Sequence, residues 1–292
     1  MLALFCLMYL LPLQMRPMIR PDEFRYAEIP REMMARHEYV VPRFNGVRYY
    51  EKPVLGYHLT ALSFRIFGLN RFALRFPPAM AVLVSALFLY FLMSRYGEDE
   101  HLPFVTSSIF MTMGMVCGVG TVAVLDSQLS AALTCCIGFF FLAYEGGADA
   151  DGRRFSRRAV VCLALAGLFA GVAFLLKGLL GFVLPVIVIL PFMIWERDWK
   201  GILLYPWIPV LVALAVIFPW SWMIYRKDPG FWYYFIVVEH FKRFTEGTLD
   251  RHPEPFWYYL DRLPQDNRHQ NVHTPGHHEH HGVRLLLLRV VP

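Results

Sequence analysis

Long apolar runs alternate with short polar turns along most of this chain. The runs lie near Phe72–Ser94, Leu102–Val122, Leu129–Tyr144, Ala159–Leu176, Gly178–Trp195 and Ile202–Tyr225, after a shorter one at Met1–Met15. Crossing hydrocarbon takes roughly 20 mainly apolar residues in a helix, so these runs predict transmembrane spans and the first predicts a partial one. Backbone groups in lipid must bond within their own segment, which makes helices the default. No run alternates as a barrel strand does. Between the first run and the next lies a stretch of different character, Arg20–Pro53, RPDEFRYAEIPREMMARHEYVVPRFNGVRYYEKP. Ionisable groups beside a membrane are costly unless solvated, paired or functional, so a site is expected here.

Within that loop the pattern predicts a short helix over Asp22–Met34. Pro21 suits a helix start, and Asp22, Glu23 and Glu28 favour the positive N-terminal end. Pro30 predicts a kink or an early end. Arg25, Ile29 and Met33 share one face, widened by Phe24, Ala27 and Met34, which suits a helix lying at the membrane interface. Phe44–Gly46 reads as a turn. A second interfacial helix is expected after Pro53, over VLGYHLTALSFRIFGL.

Composition agrees with a membrane class: 57% of residues are hydrophobic and 17% charged, too apolar for a soluble surface. The fold class expected is all-α, a polytopic transmembrane helical bundle. Met1–Met15 lacks a basic start and a small-residue cleavage site, so it reads as a first helix rather than a signal peptide. Glu145–Arg158 and Glu196–Lys200 are short basic loops, which favour the cytoplasm. Counting outward from them places the loop 16–71, the Asp126 turn, the Lys177 turn and 226–255 on the opposite side. The five cysteines, Cys6, Cys117, Cys135, Cys136 and Cys162, fall in apolar segments without metal-ligand spacing and read as small buried hydrophobes. The net charge of +5 fits anionic lipid contacts. No nucleic-acid motif appears.

The ordered blocks PDEFRYAEIPREMM and VVPRFNGVRYYEKPVLGY, then AVLDSQLSAALT, FLLKGLLGFVLP, VVEHFKRF and HPEPFWYYL, carry a resemblance. From about Arg16 to Leu260 the chain resembles polyprenyl-phosphate-dependent glycosyltransferases of the GT-C fold, in the protein-mannosyltransferase-like group. Among these it is most similar to the bacterial lipid A aminoarabinose transferases. The resemblance implies a partial GT-C catalytic domain over 1–260 in a bacterial inner membrane, with its active face periplasmic. It implies an undecaprenyl-phosphate sugar donor, with 4-amino-4-deoxy-L-arabinose as the sugar, and lipid A or another periplasmic acceptor.

Such a reaction needs cations or a metal placed in advance for charge developing on the departing phosphate. Lys52 can reach a phosphate from the membrane boundary; Arg48 and Lys177 are further candidates. Asp22 can orient or deprotonate the acceptor, and Asp126 joins it as a candidate catalytic acid. Tyr26, Tyr49 and Tyr50 offer hydroxyls to a phosphate or sugar, and Arg251, His252 and Glu254 are weaker substrate-binding candidates. The resemblance also suggests Glu51 and His240 as a pair of ligands for a divalent metal (Mg, Mn or Zn).

Each residue has a plainer reading. Asp22 and Asp126 are also helix-start residues, and Lys52 is also a snorkelling anchor. Tyr49, Tyr50, Trp220, Trp222, Trp232 and Tyr233 also suit an interfacial aromatic belt. After Leu260 the pattern departs from the family. Residues 261–292 hold no sustained span and read as a truncated or frame-shifted tail, expected to be disordered or loosely surface-bound, with histidines that can bind metal adventitiously. Two other readings stay open: a transporter, which would normally bury its polar groups near the bilayer midplane, and an inactive fragment that binds polyprenyl phosphate or lipid A.

Overall fold

The first apolar run is helical from its start: α1 (Leu2–Phe5) continues through a π-helical turn at Cys6–Leu10 and a 3₁₀ turn at Leu11–Leu13. The polar loop then folds as α2 (Asp22–Arg36), a hairpin of β1 (Arg43–Phe44) and β2 (Val47–Arg48), and α3 (Leu55–Phe67). Next come α4 (Arg71–Tyr96), α5 (Leu102–Thr112), α6 (Gly114–Gly120), α7 (Asp126–Glu145) and α8 (Arg157–Lys177). The order ends with α9 (Leu180–Trp195), α10 (Trp199–Leu204), α11 (Trp207–Lys227) and a π-helical α12 (Tyr233–Lys242). This computed structural model describes residues 1–146 and 155–242, with side chains to Glu239. The candidates Arg251, His252 and Glu254, the side chain of His240 and the tail 261–292 lie outside the described residues.

Four of these segments are long and apolar enough to cross a membrane: Arg71–Tyr96, Asp126–Glu145, Arg157–Lys177 and Trp199–Lys227. They match four of the expected spans. The expected span Leu102–Val122 instead forms α5 and α6, bent by 65°. At Met113 the backbone is extended, with φ −60 and ψ 128, and Gly114, Gly118 and Gly120 give the segment beyond it little helix propensity. The Met111 carbonyl beside the break accepts from the Tyr9 hydroxyl at 2.7 Å and the Cys117 thiol at 3.0 Å. The run Gly178–Trp195 is corrected too. Gly178 has φ +74 and turns the chain, so α9 begins at Leu180 and has 16 residues. At 1.5 Å per residue it rises about 24 Å, short of roughly 30 Å of hydrocarbon.

Small residues bring the spans together, as expected where lipid tails remove the hydrophobic drive for helix association. Gly167 and Gly171 lie one turn apart on α8 and face α11. A Cβ on Gly167 would stand 2.7 Å from the Pro209 Cα, and one on Gly171 2.8 Å from the Val216 Cβ. Both helix backbones therefore touch where only glycine fits. All five cysteines are free, and Cys135, Cys136 and Cys162 are buried among the spans.

In the loop, α2 runs on through Pro30 to Arg36, beyond the expected early end. Its underside is buried, with Ile29 at 0% and Met33 at 2% exposure, and ion pairs Glu28–Arg31 and Glu32–Arg36 brace the turns around the proline. His37 closes the helix in the left-handed region, with φ 52. Asn45 and Gly46 both have positive φ, 52 and 81, as a two-residue hairpin turn requires. The hairpin is the one departure from an all-helical chain among the described residues. The Glu32 carboxylate accepts from the Gly46 amide at 2.9 Å and fastens the hairpin to α2.

Candidate active site

Most of the candidate residues gather at one end of the bundle. There lie α2 and the hairpin, the start of α7, the end of α8 and the end of α11. Three long-range contacts hold them. Lys177, closing α8, is ion-paired with Asp126, which opens α7. Arg48 of β2 donates to Asp228, just beyond α11, at 2.9 Å. Lys227 donates to both Glu38 carboxylate oxygens, at 2.8 and 2.7 Å.

Beneath them sits a wholly enclosed ion pair. Glu23 and Arg75 are both 0% exposed, and Arg75 grips the carboxylate bidentately, Nε to Oε1 at 2.7 Å and Nη2 to Oε2 at 2.6 Å. Burial works against a charged Glu23, but Arg75 and the amides of Ala123 and Ile19 outweigh it and hold its pKa below the ordinary value. The remaining guanidinium hydrogens go to the carbonyls of Leu13, Arg16 and Pro17, at 2.7, 3.0 and 2.9 Å. Losing one member of such a pair costs about 3–5 kcal/mol, because the other stays charged and unpaired.

At the N-terminal end of α2, Arg25 is the hub. Its guanidinium lies 3.9 Å from Asp22, one turn back on the same helix, and 3.6 Å from Glu51. It also donates to the Tyr49 hydroxyl at 3.4 Å, and that hydroxyl donates to Glu51 at 2.8 Å. Burial, reinforced by Glu51, lifts the Tyr49 phenol well above its usual range. Tyr26 is stacked on Tyr57 with ring centres 6.0 Å apart. Burial lifts the Tyr26 phenol as well. Arg25 opposes that rise, while the negative charges of Asp126, Asp22 and Glu51 add to it.

The two tyrosines at 49 and 50 point to opposite sides, as successive residues of an extended chain do. Tyr49 joins Arg25 and Glu51, while Tyr50 donates to Asp228 and packs against Phe231 with ring centres 5.6 Å apart. Arg48 shares Asp228 and lies 3.4 Å from the Tyr50 hydroxyl, so these two candidates form a cluster around Asp228. Lys52 follows Glu51 and is half-buried. Trp220 departs from the belt reading: it is 5% exposed and donates its indole N–H to the Val40 carbonyl at 3.2 Å. Trp222 and Tyr233 are exposed, as that reading expects.

Sequence reasoning passed over Arg25, Asp228 and the Glu23–Arg75 pair. Arg25 carried a signal in its i,i+3 spacing from Asp22. Arg75 carried another, being an arginine inside an apolar run. Asp228 had none beyond its place at a span end. No three His, Cys, Asp or Glu side chains form a metal-ligand group among the described residues. Glu51 is already engaged by Tyr49 and Arg25, so the described donors do not by themselves make a divalent-ion site. Chemically, the arrangement presents two half-exposed carboxylates, Asp22 and Asp126, beside the amine of Lys177 and the guanidinium of Arg25.

A family model described as dolichyl-phosphate-mannose-protein mannosyltransferase matches residues 1–235. A curated protein of Shewanella sediminis, undecaprenyl phosphate-alpha-4-amino-4-deoxy-L-arabinose arabinosyl transferase, is 42% identical over 259 residues, covering 89% of this chain and 46% of its own. A protein of the same name from an Enterobacter species is 40% identical, with 89% and 45% covered. The chain thus spans less than half the length of these relatives. Two crystal structures of ArnT from Cupriavidus metallidurans superpose at 27% identity, covering 89% of this chain and 46% of theirs. The apo form gives a TM-score of 0.76 and the form bound to undecaprenyl phosphate 0.78. The fold is the GT-C membrane fold.

Proposed function

The chain belongs to the dolichyl-phosphate-mannose-protein mannosyltransferase family, and from that membership we propose that it serves transfer of a sugar from a polyprenyl phosphate. The donor in this reading is undecaprenyl phosphate carrying 4-amino-4-deoxy-L-arabinose, as the names of its relatives suggest, and the acceptor is lipid A, as the sequence resemblance implies. The observation that carries the reading is the charged network at one end of the bundle, where Arg25 lies between Asp22 and Glu51, Tyr49 donates to Glu51, and Lys177 pairs with Asp126.

In the proposed reaction an acceptor oxygen attacks the anomeric carbon, and the bond from that carbon to the phosphate oxygen breaks. The electron pair leaves with the phosphate, where Lys52 and Lys177 offset the added negative charge. Asp22 or Asp126 takes the proton from the acceptor oxygen. Arg25 lies between Asp22 and Glu51, at 3.9 and 3.6 Å, and ties the candidate acid on α2 to the segment after β2. Arg48 enters only once it leaves Asp228. A divalent ion belongs to the proposal through Glu51 and His240 alone; transfer unaffected by a chelator removes it.

The test is sugar transfer to lipid A by membranes carrying the chain, with Asp22→Asn and Lys52→Ala beside the unmodified protein. Each substitution is expected to lower transfer about 100-fold or more at unchanged protein level, the usual effect of losing one preorganised charge. Near-normal transfer in both overturns the reading. The charged end faces the periplasm of a bacterial inner membrane in this proposal, so reporter fusions after Tyr50 and Asp151 should report opposite compartments.

A further inference from the structure

The enclosed Glu23 carboxylate reaches farther than a buried ion pair needs to. Besides Arg75, it accepts from the backbone amides of Ile19 at 2.8 Å and Ala123 at 2.9 Å. Ile19 lies in the segment leading into α2, and Ala123 lies in the turn leading into α7. Asp22 is the residue before Glu23, and Asp126 is three residues after Ala123. One side chain therefore holds the backbone next to both candidate acids. Arg75 in turn ties that side chain to the carbonyls of Leu13, Arg16 and Pro17, so the knot joins α1, α2, α4 and the α7 turn.

We infer that Glu23 is a positioning residue which sets Asp22 and Asp126 relative to each other, with Arg75 as its anchor. The inference rests on the proposed roles of those two acids. Neither Glu23 nor Arg75 meets substrate, since both are wholly enclosed. Hydrogen bonds to an ionised acceptor are about twice as strong as neutral ones, so the carboxylate grips the Ala123 amide more firmly than a carbonyl could. A reacting group misplaced by about 1 Å can cost on the order of 100-fold in rate.

The experiment compares the full chain with Glu23→Gln and with the double variant Glu23→Met, Arg75→Met, each in lipid nanodiscs. Thermal midpoint, hydrogen exchange over 15–24 and 119–128, and turnover of an undecaprenyl-phosphate-linked sugar donor are measured together. Apolar replacement of a buried ion pair is often neutral for stability, so the double variant should melt near the unmodified chain. Exchange over 119–128 should speed up about 10-fold, as expected for loss of one hydrogen bond to a charged group, and turnover per folded molecule should fall about 100-fold. Slow exchange retained over 119–128, or unmodified turnover per folded molecule, overturns the inference. If the double variant does not fold, Glu23→Gln decides by the same two readouts. If the unmodified chain shows no turnover, the functional proposal fails for this chain and the exchange comparison alone decides.

Discussion

Asp126 and Lys177 are 51 residues apart in sequence and meet as an ion pair, one opening α7 and the other closing α8. The two spans run in opposite directions, so the start of α7 and the end of α8 lie at the same end of the bundle. Lys177 is 19% exposed and Asp126 51%. An ion pair this open to solvent contributes little to stability, of the order of 0–1 kcal/mol.

Lys177→Ala should therefore leave the thermal midpoint nearly unchanged while lowering sugar transfer about 100-fold, the scale of one lost preorganised charge. Thermal melting in detergent and a transfer assay on the same preparation check this. A large loss of stability with proportionate loss of transfer would make the pair a structural clamp instead.

The strap between the loop and α11 should be sensitive to acid. Burial disfavours the Glu38 carboxylate, but Lys227 and the amides of Val40 and Val41 prevail and hold its pKa below the ordinary value. A depressed carboxylate contributes stability that is complete above its unfolded pKa, about 4.3, and lost as pH falls through the folded value. Glu23 shifts in the same direction. The thermal midpoint should thus fall below about pH 4, and Glu38→Gln should flatten its share of that fall. An identical pH profile for Glu38→Gln contradicts the assignment.

Tyr57 is fully buried, and its hydroxyl has no hydrogen-bond partner among the described residues. Leaving a buried hydroxyl unpaired costs about 1–3 kcal/mol, so Tyr57→Phe should be neutral or stabilising by about 1 kcal/mol. Its packing on Tyr26 and Tyr49 would be kept. A fall in thermal midpoint equivalent to more than about 1 kcal/mol would mean that the hydroxyl is bonded.

Gly167→Ala should destabilise the chain by about 1–3 kcal/mol, the usual cost of overpacking, because the atoms in its way are the backbone of Pro209. Gly114→Ala is the matched control, since a Cβ there meets nothing within 4 Å. Thermal melting of the two variants side by side checks the contrast.

Most of the helical frame was legible in the sequence, because the length of an apolar run is itself the signal for a span. Where the frame was misread, a backbone event had no hydropathy signature. The extended Met113 splits one run without a charged residue, and Gly178 shortens α9 by turning the chain before it. Pro30 was misread in the other direction, since packing of Ile29 and Met33 carries α2 past it. In the site, Asp22, Glu51 and Asp126 were legible as motif residues, but the pairings of Glu51 with Arg25 and of Asp126 with Lys177 were not, as each joins separate segments. Arg48 and Asp228 are 180 residues apart, and no local pattern couples residues across that distance.

The acceptors of Arg75 also bear on how the chain enters the bilayer. Leu13, Arg16, Pro17 and Glu23 all precede Arg75, so each has left the ribosome before α4 does. Arg75 is the fifth residue of α4, and an unpartnered arginine inside an apolar span is costly on insertion. Here the nascent helix finds its counter-charge and carbonyl partners already made, and vectorial synthesis spares it that barrier. Ala123 arrives later and docks onto a carboxylate that α4 has already fixed in place.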